Sequence, residues 1–229
     1  MKLLYMLKSI FSHFLVIFAL NATAQTDTNT YKKPYGLRVG IDAFKLTKTF
    51  LDKNYQGIEV VGDLRITNKV YVAAELGNEN YTIDDDHMNF ITKGTYFKVG
   101  LDYNAHKNWL DLNNMIYTGI RYGASTFSQT LNSYSIYDAS NYYGENTQQS
   151  GEKFDGLTAN WLEFVAGIKA EVINNVFIGF SARLNYKIGD KKPANFDNLY
   201  IPGFHKNYGG NIGVGLNYTI TYQIPFLRK

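Results

Sequence analysis

The side chains best suited to chemistry in this sequence are its four histidines and the carboxylates beside one of them. His87 follows three consecutive aspartates in the segment IDDDHMN, Ile83–Asn89. An imidazole next to carboxylates can bind a metal ion or transfer protons. These acidic residues show no fixed spacing of the kind that metal-binding loops use, so a solvated acidic loop explains the segment better.

The other histidines do not complete a catalytic set. His13 lies in an N-terminal export signal, His106 in a predicted connection, and His205 in a long loop far along the chain from His87. We therefore predict no catalytic residue, no cofactor-binding residue and no metal site. An enzyme that acts through loop His and Asp residues is the alternative.

Residues 1–24 have the features of a cleaved signal peptide. Lys2 and Lys8 form a basic start, Ile10–Leu20 is apolar except for Ser12 and His13, and Ala22-Thr23-Ala24 has small residues at the cleavage positions. The apolar stretch is too short to span a bilayer comfortably. The pattern predicts export from the cytoplasm.

The net charge of the exported chain is close to zero. The whole sequence carries 23 basic and 20 acidic residues, and two of the lysines belong to the signal segment, which leaves 21 against 20. This balance indicates neither a nucleic-acid partner nor a polybasic membrane-binding surface. The chain has no cysteine, so burial and hydrogen bonding alone must hold the exported protein together.

Eight segments alternate between apolar and small or polar residues with a period of two, which predicts β-strands. Several are longer than the usual strand of a soluble sheet, about 5–6 residues. The segments are Gly36–Ala43, Ile58–Ile66, Val70–Gly77, Tyr96–Tyr103, Ile116–Ala124, Trp161–Val172, Val176–Tyr186 and Asn211–Phe226.

The charged residues of these segments all fall on the face opposite the apolar one. A soluble sandwich would turn that face to water, whereas a transmembrane barrel turns it inward and the apolar face to lipid. Seven acids and six bases make up the set: Arg38, Asp42, Glu59, Asp63, Arg65, Glu75, Lys98, Asp102, Arg121, Glu163, Lys169, Glu171 and Arg183.

The lengths of the connections favour the barrel. Thr67–Lys69 and Ile173–Asn175 are short, whereas most other connections are long. Short periplasmic turns and long extracellular loops are typical of outer-membrane barrels. The predicted long loops are 44–57, 78–95, 125–160 and 187–210.

We therefore predict an all-β fold, an eight-stranded antiparallel up-and-down transmembrane β-barrel spanning residues 36–229. Residues 25–35 would form a periplasmic N-terminal segment. Eight strands leave a bore that side chains can fill, so the thirteen charges should form a plugged network of ion pairs. A narrow channel is one alternative, and an outer-membrane enzyme that modifies lipid A or cleaves peptides through loop His and Asp residues is the other.

One long loop is rich in tyrosine, which offers rigid contact area to a protein partner. We predict it as a candidate interaction loop through Tyr134, Tyr137, Tyr142 and Tyr143. A mobile polar loop has the same composition and stays open as the other interpretation.

The chain resembles the small eight-stranded outer-membrane barrels of the OmpA/OmpX type. In detail it is similar to a family of uncharacterised barrels from Bacteroidetes-type Gram-negative bacteria. The resemblance rests on the signal ending NATAQ, the alternating strands and the aromatic final strand LNYTITYQIPF, after which Leu227-Arg228-Lys229 follow Phe226.

This resemblance implies an integral outer-membrane protein with a structural or interaction role, for example an accessory subunit of a larger complex such as the barrel-assembly machinery. Its partners would be outer-membrane lipids and other outer-membrane or periplasmic proteins. The resemblance assigns no functional residue.

Overall fold

The computed structural model describes residues 35–85, 87–106, 113–136, 146–193, 197–206 and 210–227. The predicted signal peptide and nearly all of the predicted segment 25–35 lie outside these ranges. Ten strands, eight of which form the barrel, and one helix account for most of the described chain. In chain order the elements are β1 Tyr35–Asp42, α1 Ala43–Leu51, β2 Tyr55–Arg65, β3 Val70–Asp85, β4 Met88–Asn104, β5 Met115–Ile136, β6 Asn146–Ile173, β7 Val176–Asp190, β8 Tyr200–Ile201, β9 His205–Lys206 and β10 Ile212–Leu227.

Strands β1 to β7 and β10 close into a barrel in which chain neighbours pair antiparallel and β10 joins β7 to β1. The paired residues can be followed from strand to strand around the barrel, starting at Ile212 of β10. After one full circuit they lead back to β10 at Tyr222, ten residues further along the strand. This stagger means that the strands are strongly tilted and that the barrel is narrow. The predicted eight-stranded up-and-down barrel is confirmed.

The two ends of the barrel differ in their connections. The end that carries the predicted periplasmic turns is called the inner end, and the opposite end the outer end. At the inner end, β2 and β3 are joined by a four-residue turn, in which Val70 N donates to Thr67 Oγ1 at 3.0 Å. The turn between β6 and β7 has Asn175 at a φ of 64°, a conformation that asparagine tolerates better than most residues. The longer connections, at the outer end, carry α1, β8 and β9.

The outer ends of several strands reach further than the sequence predicts. The predicted loop 78–95 is mostly hairpin, because β3 runs to Asp85 and β4 begins at Met88. The predicted loop 125–160 is largely strand, since β5 extends to Ile136 and β6 starts at Asn146. Backbone pairing continues there although the outward face is polar and the apolar side chains, such as Phe90 and Leu131, point inward. The alternation with an apolar outward face, which marks the other segments, is therefore missing.

Helix α1 occupies part of the predicted loop 44–57, so the fold is not purely β. Asp42 caps it, with Oδ1 accepting from Phe44 N at 2.8 Å. The Thr49 hydroxyl pins the helix to β2, because it accepts from Gly57 N at 2.9 Å and donates to Gly57 O at 3.1 Å. The helix contacts β2 and β10 just beyond the last residue of the short strand β1.

Residues 197–206 fold back into the outer mouth and are called the outer plug below. Its hairpin turns at Pro202-Gly203, with Phe204 N donating to Ile201 O at 3.0 Å and Gly203 at a φ of 81°. Proline followed by glycine suits this turn, because glycine accepts a positive φ. Ile201 and Phe204 are buried in a cluster with Tyr96, Phe127, Leu157, Ala159 and Trp161 from the barrel wall.

Candidate functional site

The interior of the barrel collects the charged residues that the alternation predicts to face inward. Twelve of the thirteen are buried. The exception is Glu171, which is only partly buried at the inner rim. There its carboxylate accepts from the backbone N–H groups of Asn113 at 3.1 Å and Asn175 at 2.9 Å, so it caps the inner turns.

The central cluster is organised around the carboxylate of Glu75. Arg183 approaches it with both terminal nitrogens, at 2.7 Å and 2.9 Å, and Arg121 donates to the same carboxylate. Arg121 also donates to Asp102 Oδ2 at 3.0 Å. Lys98 Nζ lies 3.5 Å from Glu75. A buried carboxylate with three cationic neighbours is well compensated, because each charge has partners in a medium of low dielectric.

Glu163 extends this central cluster toward the outer end. It accepts from Arg183 Nη1 at 2.7 Å and from the Trp161 indole N–H at 3.3 Å, and Lys98 Nζ lies 3.3 Å away. Lys98 also lies 4.0 Å from Glu59. One lysine therefore links three carboxylates, and the network runs unbroken across the middle of the bore.

The inner cluster consists of Arg38, Asp63 and Lys169. Arg38 Nε donates to Asp63 Oδ1 at 2.6 Å, and Lys169 donates to the other oxygen of the same carboxylate. The Arg38 guanidinium stacks 4.7 Å from the Tyr71 ring centroid and 5.1 Å from that of Phe177, as expected for cation–π contacts. These contacts fill the bore with side chains from strands alone.

The outer cluster is built around Glu79, which the alternation over the predicted strands does not reach. Glu79 accepts from the Tyr200 hydroxyl at 2.7 Å, from Gly203 N at 3.1 Å, from the Tyr55 hydroxyl at 3.1 Å and from Lys45. Lys45 comes from α1, and Tyr200 and Gly203 come from the outer plug. Helix, plug and barrel wall therefore meet on one carboxylate.

Three charged residues near the outer end, Glu79, Lys187 and Lys45, are absent from the predicted set, and the first two of them carry a signal in the sequence. Glu79 lies four residues after Glu75 on the same face of β3, and Lys187 continues the inward face of β7, so longer strand assignments would have included both. Lys187 is paired with Asp190 at 3.4 Å. Lys45 has no such signal, because its burial depends on where α1 packs.

His205, one of the two loop histidines of the enzyme alternative, lies in the outer plug and is partly buried. Burial, reinforced by the positive charge of Lys45, lowers the pKa of His205 to about 3, although Glu79 opposes the shift. The imidazole is therefore neutral at neutral pH. His87, the other candidate, is exposed beside the β3–β4 hairpin, where Asp84 Oδ1 accepts from the Asn89 amide at 2.8 Å.

The charged side chains of the interior enclose a small cavity. A cavity of about 20 Å³ lies among Asp63, Glu75, Arg121, Lys169 and Arg183. That volume holds about one water molecule. Within the ranges that the structure describes, no three His, Asp or Glu side chains are grouped to hold a metal ion.

The exterior of the barrel is an apolar belt. Tyr103 and Tyr222 lie near its inner edge and Tyr186 near its outer edge. A row of outward polar residues, Asn78, Thr95, Thr126 and Thr158, follows at the outer end. Among the exposed apolar residues of the belt are Val39, Ile41, Ile58, Val60, Leu64, Leu76, Phe97, Val99, Leu101, Ile120, Leu162, Phe164, Ile168, Phe180, Leu184, Val214, Leu216 and Ile220.

The tyrosine-rich segment is only partly described. Tyr134 is exposed near the outer end of β5, where it pairs with Gln148 of β6. Tyr137, Tyr142 and Tyr143 lie outside the described residues, so their predicted contact role stays a prediction. Among the described residues, no helix has the length and hydropathy needed to cross a membrane.

The solved structures similar to this chain include three small outer-membrane barrels. The attachment invasion locus protein Ail of Yersinia pestis is 10% identical, with a TM-score of 0.41, and the match covers 84% of this chain and 99% of Ail. Neisserial surface protein A is 12% identical, with a TM-score of 0.42, over 84% of this chain and 95% of that protein. A major outer membrane protein from Thermus thermophilus is 14% identical, with a TM-score of 0.39, over 83% of this chain and 98% of that protein.

A comparison with curated protein sequences finds no match. The sequence profile of DUF6048, a domain of unknown function, matches residues 3–229. Because this match spans nearly the whole sequence, the chain belongs to the DUF6048 family.

Proposed function

We propose that the protein is an integral outer-membrane barrel that acts through its surfaces and not through chemistry or transport. The observation that carries this proposal is the inversion of polarity: the outside of the barrel is apolar and the inside is ionic. Water would favour the opposite arrangement, whereas hydrocarbon requires this one, together with a closed sheet that leaves no unpaired strand edge.

The filled interior supports a sealed scaffold. The inner, central and outer clusters occupy the bore in succession, and the outer plug covers its outer mouth. An ion passing through would have to break buried ion pairs, and removing one partner of a buried pair costs about 3–5 kcal/mol. Planar-bilayer recordings should therefore show no discrete conductance steps, and such steps would favour the narrow-channel alternative.

A protein-binding role is supported by the outer part of β6. Strand β7 ends at Asp190, opposite Ala159, and Lys191 N donates to Thr158 O at 2.8 Å. Outward of Thr158, among the described residues, β6 is paired in the sheet with β5 and with no second strand. An exposed strand edge of this length can accept a strand from a partner. We infer that the protein is an accessory subunit of a larger outer-membrane complex, for which the barrel-assembly machinery is one candidate.

The test is site-specific photocrosslinking in cells, followed by isolation of the native complex in mild detergent. A crosslinker placed at Lys153, on the free edge of β6, should capture a defined membrane protein. A matched crosslinker at Lys93, exposed on β4 between two paired neighbours, should not. Recovery of monomer alone from both positions would contradict the interaction role.

A further inference from the structure

A groove in the outer part of the apolar belt has the shape of a ligand site. It crosses strands β2 to β5, has a volume of about 410 Å³, and is called the outer groove here. Ile58, Leu76 and Phe97 form its apolar walls. Volumes of this size are typical of sites for small molecules.

The groove exists because a small outward residue here lies beside large ones. Ala124 is directly opposite Phe97 in the β4–β5 register. Phe97 and Leu76 are exposed to 45% and 64%, so both stand out from the wall around the small side chain. The result is a concave apolar surface that faces out of the barrel, separate from the ionic interior.

The polarity of the groove changes in order along the strands. On β3, β4 and β5, the residues Asn78, Thr95 and Thr126 form one register row just outward of the apolar part, and all three line the groove. On β2 the same row continues with Ile58. In the next row outward, Lys93 lies opposite Asn80 on one side and Ser128 on the other, and it is exposed. The order is therefore apolar, then uncharged hydrogen-bonding groups, then a cation.

We propose that the outer groove binds a phosphate-bearing acylated lipid of the outer leaflet. An acyl chain lies against Ile58, Leu76 and Phe97, the linkage between chain and headgroup meets the amide and hydroxyl groups, and the phosphate meets Lys93. The groove is continuous with the apolar belt, which makes a membrane lipid its natural occupant. This inference rests on the proposed membrane insertion and adds a specific lipid site to it.

The order of groups matches the order within such a lipid. Ester or amide linkages lie between the acyl chains and the phosphate, as the polar row lies between the apolar walls and Lys93. A lysine near an anionic headgroup contributes about 1 kcal/mol. Removing its charge should therefore weaken the binding of a charged lipid about fivefold and leave that of an uncharged lipid unchanged.

Native mass spectrometry of the full-length protein released from detergent micelles tests the proposal with three probes. These are palmitoyl-oleoyl phosphatidic acid, the corresponding uncharged diacylglycerol, and inorganic phosphate. The wild type should bind phosphatidic acid about fivefold more tightly than diacylglycerol. Inorganic phosphate should not bind, because it lacks the apolar part.

Two substitutions separate the parts of the site. Ala124→Phe fills the groove and should abolish retention of both lipids, whereas Lys93→Gln should reduce phosphatidic acid to the level of diacylglycerol. Ala166→Phe is the matched control, because Ala166 faces outward on β6 away from the groove. Heat-modifiable mobility in denaturing gels verifies that each variant is folded.

The outcomes distinguish the two proposals. Equal loss of lipid in Ala124→Phe and Ala166→Phe, or none in either, would overturn the lipid site while leaving membrane insertion intact. A folded protein that stays in solution without detergent would overturn the proposed function itself. Binding of inorganic phosphate alone would show an anion site without a lipid.

Discussion

The inner and outer halves of the barrel interior are built by different means. In the inner half, Arg38, Asp63 and Lys169 all come from strands, and their side chains meet because alternate residues of neighbouring strands face the same way. In the outer half, Glu79 of β3 is joined by Lys45 of α1 and Tyr200 of the outer plug. The first arrangement follows from local geometry, and the second requires connecting segments to fold back into the bore.

Because of this difference, the two halves should respond differently to the loss of a contact. If a charged side chain of a strand in the middle of the bore is removed, its partners stay buried without a counter-charge, because the strands that carry them cannot move into water. Loss of a contact in the outer half can be relieved if the outer plug leaves the mouth. The predictions below test this contrast, from the largest expected effect to the smallest.

Glu75→Ala should be the most damaging single substitution, lowering the free energy of unfolding by about 3–5 kcal/mol, because it leaves Arg121 and Arg183 buried without their shared carboxylate. Urea unfolding from lipid vesicles, followed by the heat-modifiable gel shift, measures it. Glu171→Ala is the matched control, since that carboxylate is partly exposed at the rim. Equal losses in the two variants would contradict a water-poor central interior.

Ala182→Arg should lower the free energy of unfolding by about 2–4 kcal/mol, because Ala182 faces outward near the middle of β7 and the charge would enter hydrocarbon. The same unfolding measurement applies, with Ala182→Leu as the control that adds bulk without charge. If arginine and leucine behave alike, the belt does not face lipid.

Gly203→Ala should weaken the docking of the outer plug in the barrel mouth, lowering the free energy of docking by about 1–3 kcal/mol. A Cβ at this residue would lie 2.6 Å from the Tyr96 ring, on a backbone with a φ of 81°. Gly156→Ala is the control, because its φ is similarly positive and a Cβ there meets nothing within 4 Å. Faster tryptic cleavage after Lys191 in the Gly203 variant alone would report release of the plug; equal rates would contradict the contact.

Acidification should also loosen the outer plug. Because the pKa of His205 is lowered to about 3 when the plug is docked, docking is unaffected above the ordinary pKa of about 6.5 and weakens between these values. At its steepest, the free energy of docking falls by about 1.4 kcal/mol for each pH unit. The charges facing His205 are Lys45 and Lys98, which oppose protonation, and Glu79 and Glu163, which favour it.

The fluorescence of Trp161, which lies edge-to-face with Phe204 at 5.9 Å between ring centroids, measures this release. The measurement uses a Trp109→Phe background so that only Trp161 is observed. In His205→Gln the pH dependence between 6.5 and 3 should flatten. A profile identical to that of the parent would exclude His205 as the titrating group.

Lys153→Ala should have the smallest effect, less than about 1 kcal/mol. The Lys153–Asp155 pair spans 3.0 Å, but both side chains are more than half exposed, so water screens it. The same urea measurement applies. A loss as large as that of Glu75→Ala would mean that ion pairs outside the barrel matter as much as those inside.

The candidate site was predictable where it depended on strand periodicity. Arg121 and Arg183 were predicted to face inward, and the structure places both in the central cluster. Lys45 was not predicted, because nothing in the segment 44–57 shows a period of two and a short capped helix is a weak signal by itself. The outer plug was missed for a similar reason: its apolar residues Tyr200, Ile201 and Phe204 are too few to reveal a buried segment.

The sequence by itself determined the strands, the face on which each charge lies and the closed eight-stranded sheet, because alternation is a local property and a strand edge in hydrocarbon must be paired. Only the tertiary structure decided which carboxylate meets which cation, that α1 continues the wall beyond β1, and that residues 197–206 cover the mouth. Those choices depend on the ten-residue stagger and on packing between segments distant in the chain, which no local pattern records.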